Sequence, residues 1–298
     1  MNVSDVFFLF LLICRFFFST VRFTFSGPGA RPAGSLRVFT IVNYCKTTVW
    51  AAITPGDNFG GGGFPLKKGE SVVLTAPFGW SGRIWPRTGC NFDESGNGSC
   101  QTGSCGTSLK CSGSGLPPAS LAEFTLAAVD FYDVSLVDGF NVPVVVKPIN
   151  GNGNCSTAGC DEDVLPHCPT ELQLTAGKTV VGCRSACDVF DTDEYCCRGV
   201  YGNPSTCKPT SYSRTFKSAC PAAYSYAYDD PSSIFTCSGA DYIVTFCSNR
   251  KQNVCSYKDG SLVCSGSGRP SRLLSGRWPL ALQVVLFFSA MAWWVAVA

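Results

Sequence analysis

Histidine is nearly absent: the 298 residues hold one, His167. With a lone imidazole and no repeated C-x-x-C pairs, the chain lacks the usual zinc ligand set. No His-based triad, G-x-S-x-G elbow or P-loop occurs either. No metal and no cofactor are expected. Charge is also sparse, at 15% of residues. Gly, at 31 residues, and Pro, at 18, are plentiful. That balance favours a turn-rich β protein over a helical one. No internal repeat period appears.

The net charge of +2 comes from the flanks. Between Arg37 and Cys247 there are 14 Lys and Arg against 19 Asp and Glu, a balance of −5. A mildly acidic domain suits a phosphate backbone poorly, so nucleic acid is not an expected partner.

The two ends differ from the middle. "VFFLFLLICRFFFST" (6–20) is an apolar run broken by Arg15. Its length suits the core of a secretory signal, and a small-x-small cut fits Ala33-Gly34-Ser35. A buried strand is the alternative. "LALQVVLFFSAMAWWVAVA" (280–298) has no charge and is long enough to cross a bilayer. Ser265, Gly266 and Ser267, a polar spacer from Gly268 to Pro279, and this tail follow the order of a glycolipid-anchor signal, with Ser265 as anchor site. A retained transmembrane helix is the rival, since Trp293 and Trp294 suit an interface. The expected organisation is a signal and flexible leader at 1–35, one domain at 36–247, a linker at 248–279 and the tail at 280–298. The expected location is secreted, in the apoplast or on the outer face of the plasma membrane. A monomer is expected.

Nineteen cysteines are present. Sixteen lie from Cys45 to Cys247, and Cys255 with Cys264 form a further pair. Behind a secretory signal this is a disulfide framework. Cys196 and Cys197 are adjacent and so are expected to pair elsewhere. The cysteines crowd between Cys155 and Cys207, which predicts a stapled, loop-rich lobe beside a sheet-rich body. Asn97-Gly98-Ser99 and Asn154-Cys155-Ser156 have the form of glycosylation acceptors.

Alternating and β-branched runs predict strands within 37–55, around a turn near Cys45, and at "SVVLTAPF", "LAEFTL", "NVPVVVKP" and "DYIVTFC". "SGRIWPRTGC" predicts a short strand ending at Pro86. "DNFGGGGFPLKKGE" predicts a loop. A short helix is expected between "CRSACDVF" and "DEYCC", capped by Ser185 or Asp188.

"DFYDVSLVDGFNVP" (130–143) mixes carboxylates into an apolar strand, where acids are costly. Side chains alternate along a strand, so Asp133 and Asp138 would point oppositely. They converge only if a bulge intervenes or the strand ends before Asp138-Gly139, a turn signal. Taken alone, turn capping and surface solvation account for them.

The segments "FTIVNYC", "TVWAA", "RIWPRTGCNFD", "GNGSCQTGSCG", "LAEFTL", "DVSLVDGFNVP", "DEYCCRG", "CPAAYSYAYDDPSSIFTC" and "YIVTFC" resemble the thaumatin-like proteins of plants, the pathogenesis-related family 5. The resemblance covers roughly Val38 to Cys247. It implies a mainly β fold: a flattened β-sandwich with a disulfide-rich lobe holding short helices and a small third loop region. It also implies the pairs Cys45–Cys247, Cys90–Cys100, Cys105–Cys111, Cys155–Cys237, Cys160–Cys220, Cys168–Cys183, Cys187–Cys196 and Cys197–Cys207. It implies an acidic cleft lined by Arg83, Glu123, Asp133, Asp138 and Asp229. One position departs: where the family usually has "TGDC", this chain has "TGSC", with Ser104. That puts a loop's hydrogen bonding in question.

Two functions are weighed. A binding module for β-1,3-glucan or another wall polysaccharide would use the carboxylates as acceptors and Arg83 as donor, with Tyr132, Phe140 or Tyr228 packed on sugar faces. Its role would be antifungal defence. A weak endo-β-1,3-glucanase would use Glu123 as acid and Asp138 as base or nucleophile, with Arg83 holding one acid ionised.

Overall fold

The computed structural model describes residues 34–258, 261–264 and 271–272. The signal segment at 6–20, the anchor site at Ser265 and the tail at 280–298 lie outside the described residues.

Two six-stranded sheets pack over one core. The first runs β11 (Ala158–Gly159), β10 (Val144–Ile149), β15 (Asp241–Phe246), β1 (Arg37–Asn43), β4 (Ser71–Ala76), β18 (Ser271–Arg272). The second runs β14 (Ile234–Cys237), β9 (Asp130–Ser135), β8 (Leu121–Thr125), β5 (Ser81–Arg87), β2 (Val49–Thr54), β3 (Gly63–Leu66). The turn near Cys45 thus sends β1 and β2 into different sheets. Phe39 of the first sheet meets Phe124 of the second with ring centroids 5.0 Å apart. Tyr242 lies 5.2 Å from Phe124 and 5.4 Å from Tyr132. Edge-to-face pairs of this kind add about 0.5–1.5 kcal/mol each beyond buried area.

β1 and β15 pair in parallel, and the Cys45–Cys247 disulfide bolts them together just past Asn43 and Phe246. Every residue of β15 is buried. Its outer side is covered too: Ile243 and Val42 pack with Val254 and Cys264 of the hairpin segment formed by β16 (Cys255–Lys258) and β17 (Ser261–Cys264). A strand buried on both faces reads as a near-continuous apolar run, as "DYIVTF" does.

Two sequence expectations are corrected. β5 runs through Pro86 to Arg87. Pairing of β5 with β8 stops at Ile84, and the Pro86 carbonyl accepts from Asn141 Nδ2 at 2.8 Å. A proline's missing N–H lies on the same strand edge as its carbonyl, here the edge where the ladder has ended, so Pro86 is tolerated. The stretch 57–70 also contains β3, paired to β2.

The lobe carries the hairpin β12 (Gln173–Ala176) and β13 (Thr179–Cys183), then helices α1 (Ala186–Phe190), α2 (Asp193–Cys196) and α3 (Ser211–Ala219). The stretch expected to hold one short helix holds two. Ser185 caps α1, accepting from the Asp188 N–H; Asp191, in the left-handed region, ends it; Thr192 caps α2. Helices this short are unstable alone. Cys187–Cys196 ties α1 to α2, and Cys160–Cys220, Cys168–Cys183 and Cys197–Cys207 staple the rest of the lobe. Cys90–Cys100 and Cys105–Cys111 fasten the loop region that includes β6 (Asn91–Phe92) and β7 (Gly98–Ser99). Cys155–Cys237 and Cys255–Cys264 complete nine bridges.

Candidate functional site: an acidic cleft between sheet and lobe

Three strands place three charges in one row. Arg83 of β5 lies opposite Glu123 of β8, and Glu123 lies opposite Asp133 of β9. Their sequence neighbours Ile84, Phe124 and Tyr132 are buried in the core. Alternation therefore turns the charged row outward.

Asp138 joins this row because β9 ends at Ser135. The chain then turns, with the Gly139 N–H donating to the Leu136 carbonyl at 2.9 Å. Gly139 has φ +86°, and a Cβ there would meet the Cys183 carbonyl at 2.7 Å, so only glycine fits. Phe140 and Cys183 exchange both backbone hydrogen bonds, which fixes the turn to the lobe.

The result is a cleft of about 410 Å³ whose lining includes Arg83, Glu123, Asp133, Asp138, Tyr224 and Asp230. Arg83 Nη2 lies 3.1 Å from Glu123 Oε1, and Nη1 lies 4.0 Å from Asp138 Oδ2. Burial raises the Glu123 carboxyl above the ordinary range, opposed by Arg83 and helped by Asp138. Burial likewise raises Asp138, opposed by Arg83 and helped by Asp188. Asp133 rises furthest, to about 8, through burial first and the Glu123 charge second. Among the described residues, its Oδ1 is buried without a hydrogen-bond partner. Also among the described residues, no group of three or more His, Cys, Asp or Glu side chains is arranged to hold a metal ion.

Four of the five expected cleft residues come together. Asp229 is not in the lining: its Oδ2 accepts from the Ser225 N–H at 3.0 Å and hydroxyl at 2.9 Å, and pairs with Lys217 Nζ at 2.9 Å. Its neighbour Asp230 lines the cleft instead, its Oδ1 accepting from Tyr224 Oη at 2.8 Å. Asp188 of α1, held by Arg184 at 2.6 Å, adds an unanticipated charge near Asp138. The aromatics are corrected. Tyr132 and Phe140 are buried at 1% and 0% exposure and cannot meet a sugar. Tyr228 is half-buried and not in the lining. The aromatic in the lining is Tyr224; Phe131, 46% exposed, faces outward but is not in the lining. Phe131 shares strand parity with Asp133, two residues on. Ser104, in place of the usual acid, accepts from the Cys100 N–H at 3.3 Å and donates to the Gly106 carbonyl at 3.1 Å. Asn97 and Asn154 are both exposed.

A β-sandwich with a disulfide-stapled lobe and an acidic cleft between them defines the class. The chain belongs to the thaumatin family, whose model matches residues 43–248. It is similar to pathogenesis-related thaumatin-like protein 3.5 of Cryptomeria japonica, 57% identical over 214 residues, covering 70% of this chain and 89% of that protein. It is also similar to pathogenesis-related protein 5 of Arabidopsis thaliana, 58% identical over 214 residues with the same coverage. Among solved structures, the thaumatin-like xylanase inhibitor TLXI is 28% identical, with a TM-score of 0.40 over 70% of this chain and 99% of that one. A GH family 64 laminaripentaose-producing β-1,3-glucanase from Paenibacillus barengoltzii is 14% identical, with a TM-score of 0.48 over 75% of this chain and 78% of that one.

Proposed function

We propose that this is a secreted or cell-surface plant defence protein that binds β-1,3-glucan in the acidic cleft and so acts against fungal walls. The observation that carries the reading is the Arg83–Glu123–Asp133 row, completed by Asp138 across an open groove. Several carboxyl oxygens there face solvent with one guanidinium among them. Sugar hydroxyls donate to carboxylates and accept from Arg. Polyphosphates would be repelled by the same groups. The pathogenesis-related names of the relatives support the defence role. The choice of β-1,3-glucan rests on the family resemblance. The protein acts as a monomer, and the spacer and tail that follow Ser265, through 280–298, are cut away as a glycolipid joined at Ser265 takes their place and holds the domain on the outer face of the plasma membrane. Co-sedimentation with insoluble β-1,3-glucan, with cellulose as control, tests the reading. Retention on the glucan alone is expected; equal recovery from both polymers overturns it.

A second reading, weak endo-β-1,3-glucanase activity, is favoured by one observation. Glu123 and Asp138 share Arg83, which keeps their facing oxygens within about 9.5 Å, the upper end of the range for inverting hydrolases. Release of new reducing ends in the same tube decides for or against it.

A further inference from the structure

We propose that Asp133 serves the cleft as a hydrogen-bond donor, keeping its carboxyl proton at neutral pH and offering it to a glycan hydroxyl. This rests on the glucan-binding reading for its ligand, and on the site's geometry for the proton. The strand register sets Asp133 directly opposite Glu123. Directly opposed like charges are destabilising in a sheet. Arg83 pairs directly with only one of the two: it contacts Glu123 at 3.1 Å and reaches on to Asp138 at 4.0 Å. Asp133 Oδ1 is buried with no donor among the described residues. An ionised carboxylate there would leave a charged oxygen unsolvated, which is costly. A neutral carboxyl lowers that cost, with the proton on Oδ2, the oxygen left to meet a ligand because Oδ1 is buried.

The groups around Asp133 argue the same way. Arg83 of β5 is the cation that acts on Asp133 and is already engaged with Glu123, and Lys217 of α3 is held by Asp229 at 2.9 Å. Glu123 of β8 and Asp138 of the following turn are acids, and Asp229 and Asp230 come from the segment beyond Tyr224. Burial first, and Glu123 second, push the Asp133 carboxyl up to about 8, against the pull of Arg83. The cleft is therefore not uniformly made of acceptors. Glu123 and Asp138 accept from sugar hydroxyls, Asp133 donates to a hydroxyl oxygen, and the donor disappears as pH rises.

Two measurements test this on the folded, disulfide-intact protein. The first needs no glycan. The ¹³C carboxyl shift of Asp133, assigned by its loss in Asp133→Asn, is followed with pH. A midpoint near 8 is expected; a midpoint below neutral pH, which would leave the carboxyl ionised where the proposal needs its proton, overturns the proposal. The second is binding to soluble laminarin oligosaccharides at about pH 6.5 and pH 9.5. Wild type is expected to weaken about tenfold over that interval, the worth of one lost hydrogen bond. Asp133→Asn, whose amide donates at every pH, is expected to show a ratio within about twofold, whatever its absolute affinity. Equal slopes in the two proteins overturn the donor role. If no glucan binds at any pH, the functional reading fails, while the carboxyl titration still judges the proton by itself.

Discussion

Replacing Asp130 by Asn is expected to be among the most destabilising single changes in this domain. Asp130 and Arg37 are 0% and 1% exposed, and they join the two sheets. Arg37 Nε lies 2.8 Å from Asp130 Oδ2, and its Nη2 lies 3.2 Å from Oδ1. Tyr242 Oη donates to Oδ2 at 3.0 Å, and the Ala127 N–H donates to Oδ1 at 2.9 Å. The network is fully satisfied. Asn keeps the shape but removes the negative charge, leaving a buried guanidinium without its counter-ion. Breaking one partner of a buried pair costs about 3–5 kcal/mol. For a domain of this size each kcal/mol moves Tm by about 2–4 °C, so the midpoint should fall by about 6–20 °C. Calorimetry of the oxidised protein measures it. The double change Arg37→Met with Asp130→Leu removes both charges together, and its cost is mainly the lost acceptors for Tyr242 and Ala127, about 1–3 kcal/mol each. That totals about 2–6 kcal/mol, so the double variant should be about as stable as Asp130→Asn. A fall below about 2 °C for Asp130→Asn, or a double variant clearly less stable than the single, would refute the reasoning.

Other outcomes follow from the same geometry. Phe131→Ala, at an exposed position outside the cleft lining, should leave glucan binding unchanged and change stability by no more than about 0.5 kcal/mol, whereas Tyr132→Ala should cost about 3–5 kcal/mol; chemical denaturation and co-sedimentation separate them. The Asp133 carboxyl is raised to about 8 in the folded protein and sits near 3.9 unfolded. Its contribution to stability is therefore fully present below about pH 4 and is lost as pH rises through 8. Wild type should lose Tm relative to Asp133→Asn across that window, and a constant difference counts against the raised carboxyl. If Ser265 carries a glycolipid, phosphatidylinositol-specific phospholipase C should release the protein from membranes; retention with the tail still detected by mass spectrometry sinks that proposal.

The sheet body was largely legible from the chain, because period-two alternation and β-branched runs announce half-buried strands. The carboxylates of 130–138 show both the reach and the limit of that reading. Asp130 faces inward with Tyr132, while Asp133 faces outward with Phe131. Alternation puts Tyr132 on the core side and Phe131 on the outer side, which excludes Tyr132 from contact with a ligand. Convergence of Asp138 with Asp133 required the strand to end early, and the Asp-Gly signal carried that information. Which of Asp229 and Asp230 enters the cleft was not legible. Adjacent acids differ only in what the tertiary fold offers them, here Lys217 for one and Tyr224 for the other. α3 was missed because its capping box uses Ser213 where Glu or Gln is the usual sign. Ser213, Phe216 and Ala219 of that helix are buried at three-residue spacing, but Phe216 is the one large apolar side chain among them, a weak signal in the sequence.

The central claim, that the cleft binds glucan, is tested most directly by Asp138→Asn in co-sedimentation with insoluble β-1,3-glucan. Asp163→Asn, an exposed acid outside the cleft lining, is the control. The account predicts affinity reduced at least about tenfold, the worth of a hydrogen bond to a charged group, with Tm nearly unchanged and the control binding like wild type. Equal binding by wild type and Asp138→Asn would contradict it and remove the cleft from the function.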